Sequence, residues 1–335
     1  MSTTGARGNV APHPRREARG VLVTGGSGYL GRQLVADLAA APEGIERLVA
    51  VDVAPVAPAD RLEGVGYEEL DVRAPELAEV VARHEVDTVV HLAAIVTPPP
   101  GMTRETERAI DVGGTANVVR ACVAAGVDKL VVTSSGAAYG YHADNPVPLT
   151  EDDALRGNPE FAYSDHKRQV EELLALARAL HPELHQVVFR PGAILGDTVD
   201  NQITALFEQR FVLGVAGSDA PFCFVWDRDV VACLRKAVFE DVDGVFNLVG
   251  DGRTTMPAIA RRLGRRYVPV PAGVLGAALG VLHAARLSRY GPEQVGFLRY
   301  RPVLANDRLK GEFGYVPERT SDEVFEGWLA AHPQR

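Results

Sequence analysis

Three glycines spaced three apart, Gly25, Gly28 and Gly31, interrupt the chain directly after the apolar run 20–24. Leu30, Leu34 and Leu38 then recur at the spacing of one helix face. A strand that turns at once into a helix needs residues without side chains at the turn. Missing side chains also let the backbone approach a charged group, and the free amides of the helix's first turn favour an anion there. Alone, such a run marks no more than a tight turn. Here the next apolar run, 47–52, ends in Asp52, about twenty residues on, where a carboxylate can accept both hydroxyl hydrogens of a ribose. The combination predicts a dinucleotide with its pyrophosphate on the turn. Val53-Ala54-Pro55 follows Asp52, with no Arg or Lys to meet a 2′-phosphate, so NAD is expected rather than NADP.

Strand-length apolar runs at 20–24, 47–52, 67–71, 88–92 and 129–134 alternate with helical periodicity at 75–84, 102–125 and 163–180. This predicts an α/β fold, a doubly wound parallel sheet of Rossmann type with a smaller C-terminal substrate-binding lobe. Ligands of such sheets sit beyond the carboxyl ends of the strands. The candidate cofactor residues fall there: the glycines after the first strand, Asp52 ending the second, Asp71 and Val72 after the third, and Leu92, Ala93 and Ala94 at the fourth. Ser135 follows the fifth. Asp71 would meet the adenine amino group or, on the plainer reading, cap the helix after it. Beyond a sixth strand at 186–190 the elements shorten to 222–226, 230–238, 245–249 and 256–263, with a final helix at 321–331. The expected division is a disordered tail at 1–19, an NAD-binding domain at 20–190, and a mainly substrate-binding lobe at 191–335 with segments returning to the first domain.

Composition narrows the partners. A chain of 335 residues has room for a core and a second lobe. A net charge of -9 argues against nucleic acid, whose phosphates call for Lys and Arg. Cys122, Cys223 and Cys233 are odd in number and lack metal-ligand spacing, which points to a reducing cytoplasm and to no metal. Arg15-Arg16 precedes no apolar segment of the kind an export signal needs. The long apolar stretch 268–287, interrupted by Pro269, Pro271, Gly273, Gly276 and Gly280, reads as a buried helix rather than a membrane contact. A small-molecule substrate is left as the expected partner.

Tyr163 and Lys167 lie four apart on a predicted helix and so share a face. A phenol is almost wholly protonated at neutral pH, and a neighbouring ammonium stabilises its ionised form. With Ser135 to hold the substrate oxygen, the pair becomes a candidate base for oxidising a secondary alcohol. Lys167 can also hold the nicotinamide ribose. Asp165 and His166 read as helix-surface groups and His91 as structural. His142, Asp144 and Asn145 read as loop groups near the cleft mouth.

Thr24 to Gly31, Asp52, Asp71, His91-Leu92-Ala93-Ala94, Gly114-Thr115-Ala116-Asn117, Ser134 to Gly140, Tyr163 with Lys167, and Arg190-Pro191-Gly192 together resemble the extended short-chain dehydrogenase/reductases. This is the NAD-dependent epimerase/dehydratase family, and the likeness is nearest to a subgroup usually filed with UDP-glucose 4-epimerases. The resemblance covers about residues 20–250. It implies Ser135, Tyr163 and Lys167 as catalytic, with Asn117 orienting the lysine through backbone and water. It also implies a cofactor cradle that includes Tyr29, Leu30 and Pro191, and a homodimer packed through the helices at 102–125 and 163–180. Two departures bear on the substrate. Gly136 and Ala137 stand where sugar-nucleotide dehydratases carry an Asp-Glu pair, which speaks against a dehydratase. Pro191 and Gly192 follow Arg190, where UDP-sugar epimerases place an Asn. Arg210, Arg228, Arg253 and Arg301 are candidates for a substrate diphosphate, or else plain surface charge. The leading reading is an NAD-dependent dehydrogenase or reductase. A UDP-sugar 4-epimerase working through a transient ketone is the alternative, and a catalytically silent NAD-binding sensor or scaffold the third.

Overall fold

The computed structural model describes residues 13–285, 287 and 291–333. In its first half β1 (Gly20–Thr24) leads through the glycine turn into α1 (Tyr29–Ala40) and β2 (Arg47–Asp52). Then come β3 (Val65–Glu69), α2 (Leu77–Arg83) and β4 (Thr88–His91). A helix in three pieces follows: α3 (Arg104–Arg108), a π turn (Ala109–Gly113) and α4 (Gly114–Ala125). β5 (Lys129–Thr133), α5 (Ala162–Leu180) and β6 (His185–Pro191) complete this half.

The second half is built of shorter pieces. It runs through β7 (Ala193–Leu195), α6 (Gln202–Phe207), β8 (Val212–Val215), β9 (Pro221–Phe222) and β10 (Phe224–Trp226). α7 (Asp227–Phe239) and β11 (Gly244–Leu248) come next, followed by β12 (Thr254–Thr255), α8 (Met256–Arg262) and β13 (Tyr267–Val270). α9 (Ala272–Ala284), α10 (Gln294–Arg299), α11 (Asp307–Gly311) and α12 (Ser321–Ala331) end the described chain.

Seven strands form one sheet in the order β11-β6-β5-β4-β1-β2-β3, and every pairing is parallel. The strand order reverses between β1 and β4, and the crevice at such a reversal is where this architecture binds ligands. One face is covered by α1 and α7, through Leu34, Leu38, Val230, Leu234 and Val238. The other is covered by α2, α4 and α5, through Val80, Val81, Val118, Cys122, Val170 and Leu174. A separate aromatic core, with Phe207, Phe222, Phe224, Phe325 and Trp328 stacked or edge-on, holds the second lobe.

Several expectations change. The third strand lies at 65–69, two residues before the expected 67–71, and the bond from the Leu70 amide to the Asp52 carbonyl oxygen is its last to β2. The helix at 102–125 is broken by the π turn. Gly114 there packs so tightly on Val72 that a Cβ would come within 2.7 Å of it. The segment 230–238 is part of α7 and 245–249 largely that of β11, and both rejoin the first domain. Residues 1–12 of the expected disordered tail lie outside the described residues, but 13–19 are docked. Ala18 is buried, the Arg16 amide donates to the Phe239 carbonyl, and the Arg16 guanidinium bonds Thr88 Oγ1 at 2.7 Å. The stretch 268–287 is not a buried helix. β13 takes its start, and of α9 only Leu275 is buried while Val274, Val281 and Leu282 are exposed. Among the described residues no helix is long and apolar enough to cross a membrane.

Candidate active site

A cavity of about 1050 Å3 opens at the carboxyl ends of the central strands and extends into the second lobe. On the sheet side it is lined by Gly25, Gly28, Tyr29, Leu30 and Gly31, then by Leu92 and Ala94 after β4. Ser135, Tyr163, Lys167 and Pro191 line the same space. Thus the residues expected for cofactor and for chemistry meet in one cleft.

The glycine turn is packed too closely for side chains at Gly25 and Gly31. A Cβ on Gly31 would lie 2.0 Å from the Gly25 carbonyl oxygen, and one on Gly25 within 2.7 Å of the Ala93 amide nitrogen. Gly25 also has φ +71, a region side chains disfavour. Asp52 braces the turn from β2, its Oδ2 accepting from the Ser27 amide at 3.0 Å and its Oδ1 from the Ala54 amide at 3.0 Å. Tyr29 fastens α1 to the second lobe through a 2.6 Å bond from its hydroxyl to Asp227 Oδ2. Burial, reinforced by that carboxylate, pushes the Tyr29 phenol up to about 12. Its hydroxyl is therefore a fastening.

Five expected residues, Asp52, Asp71, Val72, Ala93 and Asn117, lie outside the cavity lining. Asp71 is held by Arg73, which donates to both carboxylate oxygens through its guanidinium and to Oδ1 through its amide. That partner holds the Asp71 carboxyl below the usual range. Val72 sits beneath it, its side chain against Gly114. Asn117, expected to orient Lys167 through backbone and water, has its side chain engaged elsewhere. Its amide donates to the Val72 and Ala74 carbonyls at 2.7 Å each, and its Oδ1 accepts from Arg120. Asn117 thus shapes the loop after β3. Ala93 lies beside Lys167 in a small closed void.

Around the reactive groups the fold is tightly tied. Ser135 caps the 3-10 turn Gly136–Tyr139, its Oγ accepting from the Ala137 amide at 3.1 Å. Ser164 Oγ donates to the Ala137 carbonyl at 2.7 Å, so α5 and the Ser135 turn move as one piece. Lys167 is buried; its Nζ donates to the Thr133 carbonyl at 3.3 Å and stands 5.8 Å from the centre of the Tyr163 ring. Beneath them Arg190 makes two 2.8 Å bonds to Glu171 of α5 and a 2.7 Å bond to the Tyr139 hydroxyl. His91 is structural as expected, between Thr24 Oγ1 at 2.7 Å and Thr115 Oγ1 at 3.0 Å. His142 bonds the Gly157 carbonyl, and Asp144 and Asn145 bind Arg156. Asp165 and His166 correct their reading: both are buried, not on the helix surface.

The second-lobe wall was barely legible. Tyr141, Phe161 and Phe297 form one aromatic cluster with ring centres 5.2 to 5.7 Å apart. Arg301 lies between Phe222 and Phe297, its guanidinium carbon 3.8 and 4.4 Å from the ring centres. It is buried, and among the described residues none of its three guanidinium nitrogens meets an acceptor. Burial pulls Arg301 down to about 9. Of the four candidate arginines it alone lines the cavity. Arg228 stacks on Trp226 and faces Asp197, and Arg210 and Arg253 are exposed. The loop Pro98-Pro99-Pro100 after β4 also lines the cavity, and its place at a strand's carboxyl end was the signal that could have found it.

Comparison with known proteins accords with this geometry. The model of the NAD dependent epimerase/dehydratase family matches residues 21–250. An uncharacterised Mycobacterium tuberculosis protein is 30% identical over 98% of this chain and 89% of its own length. The dTDP-4-dehydro-6-deoxyglucose reductase of Escherichia coli is 32% identical over 70% of this chain and 77% of its own. The UDP-glucose 4-epimerase of Thermotoga maritima, solved with UDP-glucose, shares the fold with a TM-score of 0.72 over 94% of this chain and 99% of its own, at 20% identity. With the match to residues 21–250, a glycine turn after β1 and a Ser, Tyr and Lys sharing its cleft, the chain belongs to the NAD-dependent epimerase/dehydratase family, an oxidoreductase whose cofactor is NAD.

Proposed function

We propose that the protein moves hydride between NAD and a secondary alcohol or ketone carbon of an anionic small molecule, with Tyr163 as the proton-handling group. The observation that carries this is the common lining: Ser135, Tyr163 and Lys167 border the cavity that also holds the glycine turn. Bound NAD supplies the hydride acceptor or donor. Ser135 Oγ hydrogen-bonds the reacting substrate oxygen. Tyr163 takes that hydroxyl's proton during oxidation and returns it during reduction. Lys167, braced by the Thr133 carbonyl, keeps a positive charge beside the phenol and holds the nicotinamide ribose. Gly25, Gly28 and Gly31 cradle the pyrophosphate, and Asp52 takes the adenosine ribose. Asp71 and Val72 border the adenine, and Pro191 the nicotinamide end.

Arg301 supports the anionic part of the reading. A buried guanidinium with no acceptor is costly, and a ligand carboxylate or phosphate between the two phenyl rings would relieve it. The same observation favours a second reading, a nucleotide-sugar 4-epimerase, whose substrate carries a diphosphate. We place two copies together through α4 and α5, supported by the exposed Leu176 and Leu180 one turn apart on α5. We place the protein in the cytoplasm on its three free, buried cysteines.

Nucleotide sugars, hydroxysteroids and simple alcohols, each mixed with protein and NAD while NADH absorbance is followed, test the reading. Steady accumulation of NADH marks a dehydrogenase; sugar inversion without accumulation marks the epimerase. In either case Tyr163→Phe is expected to lower turnover at least about 100-fold while NAD binding, followed by protein fluorescence, stays unchanged. Full turnover in that variant would remove Tyr163 from the mechanism.

A further inference from the structure

α9 leaves open the apolar surface that a helix normally buries. Leu275 is its buried residue. Val274, Ala277, Ala278, Val281 and Leu282 are exposed, as is Ala285 at the C-cap. Their separations of three and four residues set all six along one face. Val274 and Val281 are 60% and 69% exposed, so the stripe is open surface rather than the edge of a core. A continuous apolar stripe of this kind marks a contact with a protein or a membrane.

The charge around the stripe has one sign. Residues 252–292 contain no Asp or Glu but seven arginines, in a protein of net charge -9. Arg262 is used within the fold, paired with Asp322, and Arg265 caps the Phe207 and Gln209 carbonyls. Arg261 and Arg266, ahead of β13, are exposed. Arg286 and Arg289 follow α9 in the sequence. The first acid after them, Glu293, has its Oε1 on the Gly291 amide at 2.7 Å. α9 also ends at the mouth of the cavity, because His283 is exposed and lines it. The uncharged loop 95–103, with Pro99, Pro100 and Gly101 exposed, borders the same cavity.

Charge and side-chain type select the partner. A second copy, docked by twofold symmetry, would bring the same arginine-rich stretch against itself. A specific protein contact is built on large anchors such as Trp, Tyr or Arg seated in pockets, and the stripe offers only Val, Ala and Leu. An anionic bilayer needs no such anchor. Apolar side chains enter its headgroup boundary while neighbouring arginines meet the phosphates. We propose that α9 seats the protein on the surface of an anionic membrane, with the opening of the cavity at the lipid boundary. This docking is independent of the hydride-transfer reading, and its test uses no substrate.

The full chain is floated on a sucrose gradient with vesicles of equal phosphatidylglycerol and phosphatidylcholine, and with vesicles of phosphatidylcholine alone. The protein is expected to rise with the first and at least about tenfold less with the second. Val281→Asp combined with Leu282→Asp is expected to lower binding to the anionic vesicles at least about tenfold. NAD binding stays unchanged in that variant and shows that it is folded, since both side chains are exposed and neither lines the cavity. Arg286→Gln combined with Arg289→Gln is expected to weaken binding as well. A polarity-sensitive dye on Val281→Cys shifts to the blue when anionic vesicles are added. The same dye on Glu17→Cys, at the opposite end of the sheet, does not, and the wild type with its three buried cysteines is the labelling blank. A wild type that stays down with both vesicles, or floats equally with both, overturns the proposal. So does an aspartate variant that floats like the wild type, or a dye at residue 17 that shifts as far as the one at 281. A wild type that fails to float but forms a dimer that the aspartate variant splits would give the face to a second copy instead.

Discussion

His91 shows how one side chain can carry a pH dependence without touching a ligand. It is wedged between two threonine hydroxyls and held neutral, its proton affinity lowered to about 4 by burial and by the Lys167 charge. An unfolded histidine titrates near 6.5, so between about 6.5 and about 4 the unfolded chain binds the extra proton and the folded one does not. The stability tied to His91 is therefore present in full above that window and is lost as the pH falls through it, by up to about 3 kcal/mol. Replacing His91→Asn is expected to flatten this loss, read as a smaller drop in urea midpoint between pH 7 and pH 4.5. An equal drop in both proteins would show that other groups govern the acid limb. Residue roles were legible where chemistry dictates a type at a spacing. Tyr163 and Lys167 share a helix face, and Ser135 ends a strand. Arg301 was not legible in this way, because it matters through what surrounds it. Sequence spacing does not reveal an aromatic sandwich.

Among the elements, the join of β1 to α1 tolerates the least change. Gly31, in the first turn of α1, lies so close to the Gly25 carbonyl that a methyl group has no room. Gly31→Ala must push the helix off the turn and so move the first-turn amides from the pyrophosphate. NAD affinity is expected to fall at least about tenfold, with melting temperature lowered as well, measured by fluorescence titration and thermal unfolding. Unchanged affinity would mean the cradle opens more easily than its backbone contacts imply. The strands of the sheet were readable to within about two residues because fully buried parallel strands are short continuous apolar runs. α9 was misread for a related reason. Its run is apolar all round, and such a pattern states that a helix wants cover without stating whether the fold provides it. The break at the π turn was equally hidden, since Ala109–Gly113 carries no proline to mark it.

At the scale of the whole molecule, residues 13–19 act as a strap at the end of the sheet opposite the cleft. The Pro14 carbonyl accepts from Asp241, Arg15 bridges to Glu240, and the Arg19 and Gly20 amides both donate to Asp87 Oδ2. His13 reaches the Glu312 carbonyl at 2.6 Å. Compared with a protein beginning at His13, one beginning at Gly20 loses these bonds and the buried Ala18, and is expected to be less stable by about 2–4 kcal/mol. Differential scanning calorimetry would show this as a melting point several degrees lower, and identical melting curves would demote the strap to an ornament.

The seventh strand, β11, comes from beyond Pro191 yet pairs with β6 from Val187 to Pro191, while α7 covers the same face as α1. The halves are therefore not modules that a protease or an engineer can part at the sequence boundary. A fragment ending near Pro191 would bare a long rim of unmated amides and carbonyls, which invites clumping. Anyone grafting a new specificity onto this scaffold has to leave the stretch 227–248 with its host and exchange only what lies on either side of it.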